Sequence, residues 1–144
     1  MESKFESSVK MIEAPQQKVY ETLSDLSRLE QMKDRLRDHV DSDKLDGFSF
    51  DHDTMTAQVP PVGSITLRIV DREEPKTIKL ETEQSPMPFN FWIQLLPLSD
   101  TSCKMKLTIK ASLNPFIKGM ISKPLSEALE KMADTIAQIN YNNL

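Results

Sequence analysis

The residues best suited to acid–base or metal chemistry stand together at one point of the chain, Asp51-His52-Asp53. Two carboxylates beside an imidazole are the ligand types of a zinc site and the groups of a general acid–base pair. A metal site needs a further ligand, however, and no distant residue suggests itself, while a turn of small polar residues explains the same motif. His39 follows a charged segment and is expected to be exposed. Because nucleophile elbows, phosphate loops and dinucleotide fingerprints are also missing, we predict no catalytic residue, no metal and no cofactor.

The composition of the chain excludes several classes of protein. With 144 residues, positions 1–144 are expected to form one domain whose core needs no disulfide. The single cysteine, Cys103, cannot form an intramolecular bridge, which favours a reducing compartment. No apolar run has the length of a signal peptide or a membrane span, and the net charge of −4 argues against a basic nucleic-acid interface. We predict a cytoplasmic protein that binds no nucleic acid and has no membrane segment.

The elements that would position a site are indicated first by alternating apolar residues. In seven segments apolar and polar residues alternate: the apolar ones stand at odd-numbered positions in most segments and at even-numbered positions in 48–50 and 78–82, and lysine, glutamate, asparagine or glutamine commonly fill the positions between. The first of these segments, residues 4–12, would place Phe5, Val9 and Met11 on one face. Short turns with proline or glycine separate the later segments. The pattern therefore predicts an antiparallel sheet with one wet face and one dry face.

Three further segments have the spacing of helices. Pro15 begins a predicted first helix of about four turns, and a short second helix is expected in the charged segment 28–46. Residues 115–141 are predicted to form one long amphipathic stretch, with Pro124 dividing it into a short helix and a longer one. Its apolar positions step by three, four or five residues and are expected to cover the dry face of the sheet. They are Phe116, Met120, Leu125, Leu129, Met132, Ile136 and Ile139.

This order of elements resembles the START and birch-pollen-allergen superfamily, also called SRPBCC. The resemblance depends on residues 12–20 with the following Leu23-Ser24-Asp25, which look like the strand-to-helix junction of the family, and on the ending from Leu113-Asn114-Pro115 to Ile139. It implies an α+β helix-grip fold, in which a curved seven-stranded antiparallel sheet wraps around the last helix and two short helices follow the first strand. The chain looks most like the small bacterial members grouped with polyketide cyclases and lipid-transport domains.

The resemblance also implies a cavity between the sheet and the last helix, open near the two short helices. Strand parity and helix spacing then predict which side chains line it, with a few hydroxyls and the Cys103 thiol as minor polar spots. The predicted ligand-binding residues are Met11, Val59, Leu67, Leu80, Phe91, Ile93, Met105, Leu107, Phe116, Met120 and Leu125.

Three functions stay open from the sequence. The first is binding or transport of a small hydrophobic ligand, namely a lipid, a polyketide or a quinone-like molecule. The second is a cyclase or aromatase acting on a polyketide-like substrate, and the third is a protein-interaction module with a filled core. Trp92 falls on the wet face by strand parity, near Lys79 and Lys110, where it is either packed on lysine stems or exposed to a protein partner or a second copy of the chain.

Overall fold

A computed structural model of the chain describes residues 2–31, 48–59, 63–83, 88–139 and 141. The helices are α1 (Gln16–Leu23), α2 (Ser27–Gln31) and α3 (Pro115–Ala137). The strands are β1 (Glu2–Glu6), β2 (Lys10–Ile12), β3 (Phe48–Phe50), β4 (Thr54–Val59), β5 (Gly63–Glu73), β6 (Thr77–Thr82), β7 (Phe89–Ser99) and β8 (Ser102–Ser112).

These strands form one antiparallel sheet in the order β1-β8-β7-β6-β5-β4-β3, with β2 also paired to β8. Consecutive strands from β3 to β8 are neighbours because short turns connect them, as the sequence predicts. Long β5, β7 and β8 alternate buried and exposed side chains along most of their length. The sheet therefore has one inner face, covered by α3, and one outer face.

The predicted first strand is divided by a bulge. Between the pairs Glu6–Thr108 and Lys10–Met105, the first strand advances four residues while β8 advances three. The hydroxyl of Ser7 fills the gap, because its Oγ accepts a hydrogen bond of 2.9 Å from the backbone N–H of Leu107. One extra residue reverses which side chains face inward.

The bulge corrects two predictions about the dry face. Val9 is 56% exposed and Met11 is 63% exposed, so both lie on the outer side of the sheet rather than in its interior. Ile12, an even-numbered residue, is buried in their place. The prediction that Met11 lines an inner cavity is thus wrong for a geometric reason: the register slips by one residue before it.

The predicted four-turn first helix is also interrupted. Helix α1 ends at Leu23, and α2 begins at Ser27 after a corner in which Asp25 Oδ1 accepts hydrogen bonds from the Ser27 backbone N–H (3.2 Å) and hydroxyl (2.6 Å). A carboxylate that caps backbone donors in this way starts a new helix. The rest of the predicted second helix, together with His39, lies outside the described residues.

Helix α3 begins where the sequence predicts, because Asn114 Oδ1 accepts the Ile117 backbone N–H at 2.8 Å and Pro115 occupies the first helical turn. It continues through Pro124 without a break, so the predicted division into two helices is wrong. Phe116 and Met120 are 81% and 52% exposed. At about 100° per residue they fall on the opposite side of the helix from the buried stripe, which corrects their predicted inward placement. That stripe consists of Ile121, Leu125, Leu129, Met132, Ala133 and Ile136.

Candidate functional site

The inner face of the sheet is built from cross-strand rows of apolar side chains. Phe91 of β7 pairs with Leu80 of β6 on one side and with Ile109 of β8 on the other. In the next row Ile93 lies between Ile78 and Leu107. Directly opposed residues have Cβ atoms about 5 Å apart, so each row is a continuous apolar contact across three strands.

The structure places the predicted lining residues in three groups. The first group is buried and lies together on this face or on the stripe of α3 that covers it: Leu67, Leu80, Phe91, Ile93, Met105, Leu107 and Leu125. The second group, Met11, Phe116 and Met120, is exposed for the reasons given above. Val59 ends β4, and its side chain lies outside the described part of the structure. A ligand-binding role for the buried group stays a prediction.

The two ends of the sheet differ in what covers them. At one end β4, β6 and β8 finish, β5 and β7 begin, and α3 starts with its exposed Phe116. At the other end α1 packs against β6 and β7 with Val19 and Leu23 fully buried. The C-terminal part of α3 and the following Tyr141 are also buried. Among the described residues, helices therefore cover the α1 end of the interior, where the resemblance implies an opening.

Tyr141 and Cys103 share this closed end. The Tyr141 hydroxyl donates a hydrogen bond of 2.8 Å to the backbone carbonyl of Ile136, and burial raises the pKa of the phenol well above its usual value. Burial also raises the pKa of the Cys103 thiol, which therefore stays protonated and unreactive near neutral pH. The sequence predicts burial of Cys103, and the structure confirms it. Tyr141 is not among the predicted inward residues, because the apolar stripe of the helical pattern ends at Ile139.

The chemistry available inside is limited to hydroxyls and this thiol. Across the described ranges, no Asp, Glu, His, Lys or Arg is buried. The buried polar residues are Ser3, Ser7, Thr22, Thr108 and Thr135. The inner face thus offers apolar contacts and a few hydroxyls, and these residues supply no general acid or base.

The sequence motif around His52 belongs to a polar corner outside the sheet. His52 Nδ1 lies 3.0 Å from Asp25 Oδ1, and Arg72 Nη2 donates to Asp53 Oδ1 at 2.7 Å and to the Ser24 carbonyl at 2.9 Å. Arg72 lowers the pKa of Asp53, and hydrogen bonds from Ser27 and then His52 lower that of Asp25.

These contacts tie the β3–β4 turn to the corner between α1 and α2 and border an open polar pocket of about 490 Å³. Within the described residues, no group of three possible ligands could hold a metal ion. The contacts of this turn with Asp25 and Arg72 have no local signal in the sequence, because each partner is distant from the turn along the chain. We interpret the motif as a structural tether.

Trp92 lies on the outer face, as strand parity predicts. The ammonium nitrogens of Lys79 and Lys110 lie 5.7 Å and 5.6 Å from the centre of its ring. These neighbours are cross-strand partners or diagonal to it, and the ring is half-buried between their stems. The interpretation of Trp92 as a ring packed on lysines is confirmed.

Comparison with known proteins adds to this geometry. No family model and no curated protein matches the chain at a significant level. Norcoclaurine synthase from Thalictrum flavum, solved with dopamine and hydroxybenzaldehyde, aligns with 95% of this chain and 85% of its own, with a TM-score of 0.67 and 14% identity. A START superfamily protein from Mycobacterium smegmatis aligns with 94% of this chain and 98% of its own (TM-score 0.55, 11% identity). The chain has a START-like helix-grip fold.

A third match supports the same START-like architecture. A protein from Thermobifida fusca, solved by NMR in solution, aligns with 98% of this chain and 94% of its own, with a TM-score of 0.64 and 12% identity. In this fold α3 is the gripped helix, and the rows around Phe91 form the sheet surface that faces it. None of the helices in the described ranges is both long and apolar enough to cross a membrane.

Proposed function

We propose that residues 1–144 form a single START-like domain that binds a small hydrophobic molecule between the inner face of the sheet and α3. The ligand class is a lipid, a polyketide or a quinone-like molecule. One observation carries the proposal: the inner face presents continuous apolar rows, and no charged side chain among the described residues is buried there. Pockets for such ligands are lined mainly by apolar and aromatic residues.

The energetics of such a site need no ionic contact. Burial of an alkyl chain contributes about 0.8 kcal/mol per methylene, so ten methylenes contribute roughly 8 kcal/mol before the cost of immobilisation. A micromolar dissociation constant corresponds to a net free energy of roughly −8 kcal/mol, so ten methylenes supply most of it once the cost of immobilisation is counted. A polar headgroup would remain at the mouth of the site, in contact with water.

We propose that the ligand enters at the end of the sheet where α3 begins. The first turns of α3 carry the exposed Phe116 and Met120, and the buried stripe starts with Ile121 and Leu125. The opposite end is closed by α1, whose Val19 is fully buried. Entry along the first turns of α3 therefore displaces the fewest buried side chains.

Two further observations are consistent with this proposal. A protein of the same fold, norcoclaurine synthase from Thalictrum flavum, was solved with two small aromatic molecules, dopamine and hydroxybenzaldehyde. The unpaired and buried Cys103 suits a reducing compartment, so we propose a cytoplasmic location. Binding is preferred to cyclase activity because the described interior offers hydroxyls but no ionisable side chain that titrates near neutral pH.

The proposal is tested by native mass spectrometry of the protein purified from its own cell, followed by solvent extraction and identification of any released molecule. The purified protein is then titrated with long-chain fatty acids and an apolar fluorescent dye. We expect a co-purifying hydrophobic compound that the dye or fatty acid displaces. An empty protein that also fails to take up both probes would contradict the proposal.

A further inference from the structure

A second pocket opens at the α1 end of the sheet, on the side of its outer face. It has a volume of about 550 Å³ and is formed by the bulge before β2, the β5–β6 turn, the start of α1 and the facing parts of β7 and β8, including Leu95 and Met105. Its lining residue Leu96 lies on the outer face of the sheet, since it shares a face with Trp92 and Gln94 and is 61% exposed. This volume is within the usual range of small-molecule sites, about 300–1,000 Å³.

The wall of this pocket is apolar. Val9, turned outward by the bulge at Ser7, and Leu96 are exposed apolar side chains on it, and Pro75 and Pro97 complete the apolar surface. Their exposure to water is unfavourable by itself. An apolar guest would remove this surface from solvent.

The charged residues known to line this wall are all of one sign. They are Lys76, Lys104 and Lys106, and no aspartate or glutamate of the described ranges joins them, although the whole chain has a net charge of −4. Lys106 already forms an ion pair, because its Nζ lies 2.5 Å from Glu6 Oε2. Within the described ranges, Lys76 and Lys104 have no carboxylate partner at ion-pair distance.

Lys104 is placed to serve such a guest. In the sheet register Lys104 lies directly opposite Leu96 on β7 and directly opposite Met11 on β2, so it is flanked by two residues with exposed apolar side chains. An ammonium group beside an apolar surface matches a molecule that carries a negative head on an apolar chain.

We propose that this outer pocket binds a small amphipathic carboxylate, of the type of a medium-chain fatty acid, with its head at Lys76 and Lys104 and its chain against Val9 and Leu96. The exposed side chains that carry this proposal are not part of the inner face, although Met105 borders both. The proposal does not depend on whether the inner face holds a ligand.

The proposal is tested on the full chain by isothermal titration calorimetry with decanoate below its micellar concentration. The fluorescence of Trp92, the single tryptophan, gives a second readout, because Trp92 lies two residues from Gln94 of the pocket. The double variant K76Q/K104Q removes both ammonium groups of the pocket. The control K123Q/K131Q, at two exposed lysines of α3, makes the same change in net charge elsewhere. Leu96→Asp places a charge on the apolar wall.

We expect K76Q/K104Q to raise the dissociation constant for decanoate about tenfold and to leave binding of the uncharged decanol unchanged. Leu96→Asp should weaken the binding of both decanoate and decanol, and K123Q/K131Q should change the binding of neither. Equal effects of the two double variants would overturn the outer site. So would decanoate binding that is lost with an inner-face substitution such as Leu67→Phe but survives Leu96→Asp. Binding to anionic lipid vesicles without binding to monomeric decanoate would also overturn it, in favour of a membrane surface.

Discussion

The ammonium of Lys10 in β2 lies 2.8 Å from Oε2 of Glu130 in α3. Ser8, inside the bulge of the first strand, donates its backbone N–H and its hydroxyl to the same carboxylate, each at 2.7 Å. Lys10 also reaches Asp134 at 2.7 Å. The bulge thus has two consequences: it turns Val9 outward, and it fastens the edge of the sheet to the helix that the sheet surrounds.

This ion pair predicts a pH-dependent stability. Lys10 and then Ser8 lower the pKa of Glu130 to about 2. A carboxyl group with a lowered pKa contributes stability that is fully present above its ordinary value of 4.5 and is lost as the pH falls through about 2. Because the side chain is 41% exposed, solvent screening reduces the contribution to about 1 kcal/mol.

We therefore expect Glu130→Gln to lower the free energy of unfolding at pH 7 by about 1 kcal/mol, and the difference from the unmodified protein to disappear near pH 2. Urea unfolding at a series of pH values measures both. Glu127→Gln, an exposed position on the same helix, is the control and should change little. A pH-independent difference would contradict the assignment of the effect to this carboxylate.

Adding volume to the inner face separates a ligand site from a filled core. If space for a ligand adjoins Leu67, Leu67→Phe should change the free energy of unfolding by less than about 1 kcal/mol and should reduce uptake of long-chain fatty acids at least tenfold. Val70→Phe, at an exposed position of the same strand, is the matched control. Thermal unfolding and dye displacement give the two readouts. Destabilisation of 1–3 kcal/mol with unchanged uptake would favour the filled core.

Trp92 should become more accessible when its lysine neighbours are removed. Lys79→Ala together with Lys110→Ala takes away both stems and ammoniums over the ring, at a cost of about 0.5–1 kcal/mol for each contact. We expect a red shift of the emission and stronger quenching by acrylamide. Lys104→Ala, farther along the same face of β8, should change neither, and a shift of equal size there would contradict the stacked arrangement.

The corner between α1 and α2 should depend on Asp25. Its carboxylate accepts hydrogen bonds from Ser27 and contacts His52, so Asp25→Ala removes the start of α2 and the tether of the β3–β4 turn together. We expect a loss of about 1 kcal/mol in the free energy of unfolding at neutral pH, measured by urea titration. Asp51→Ala, an exposed carboxylate beside His52, should cost much less. Equal losses would show that local charge, rather than this corner, is responsible.

The sequence predicts most of the sheet because strands β5 to β8 keep their period of two for many residues. It fails at the first strand because the slip depends on the hydrogen bond between Ser7 and Leu107, one hundred positions apart. No local pattern records that contact. The inner residues of the candidate site could therefore be predicted on β5 to β8, while Met11 could not.

The helices show the same limit. A step of five residues from Met120 to Leu125 rotates the apolar stripe by about 140°, so the two cannot share one face of a straight helix. The break between α1 and α2 was readable in principle, because Asp25 followed by Ser27 is a local capping signal. The polar corner at His52 was not readable, since it requires Arg72 from β5.

Pro124 stands between two parts of α3 that we expect to differ in local stability. Its nitrogen carries no hydrogen, so the carbonyl of Met120 lacks its helical partner at the point where the exposed first turns meet the buried stripe. Amide protons before Pro124 should exchange with deuterated water well ahead of those between Leu125 and Ile136, because the early turns can fray while the later ones stay docked. The C-terminal part of α3 would then stay packed against the sheet while its first turns unfold locally.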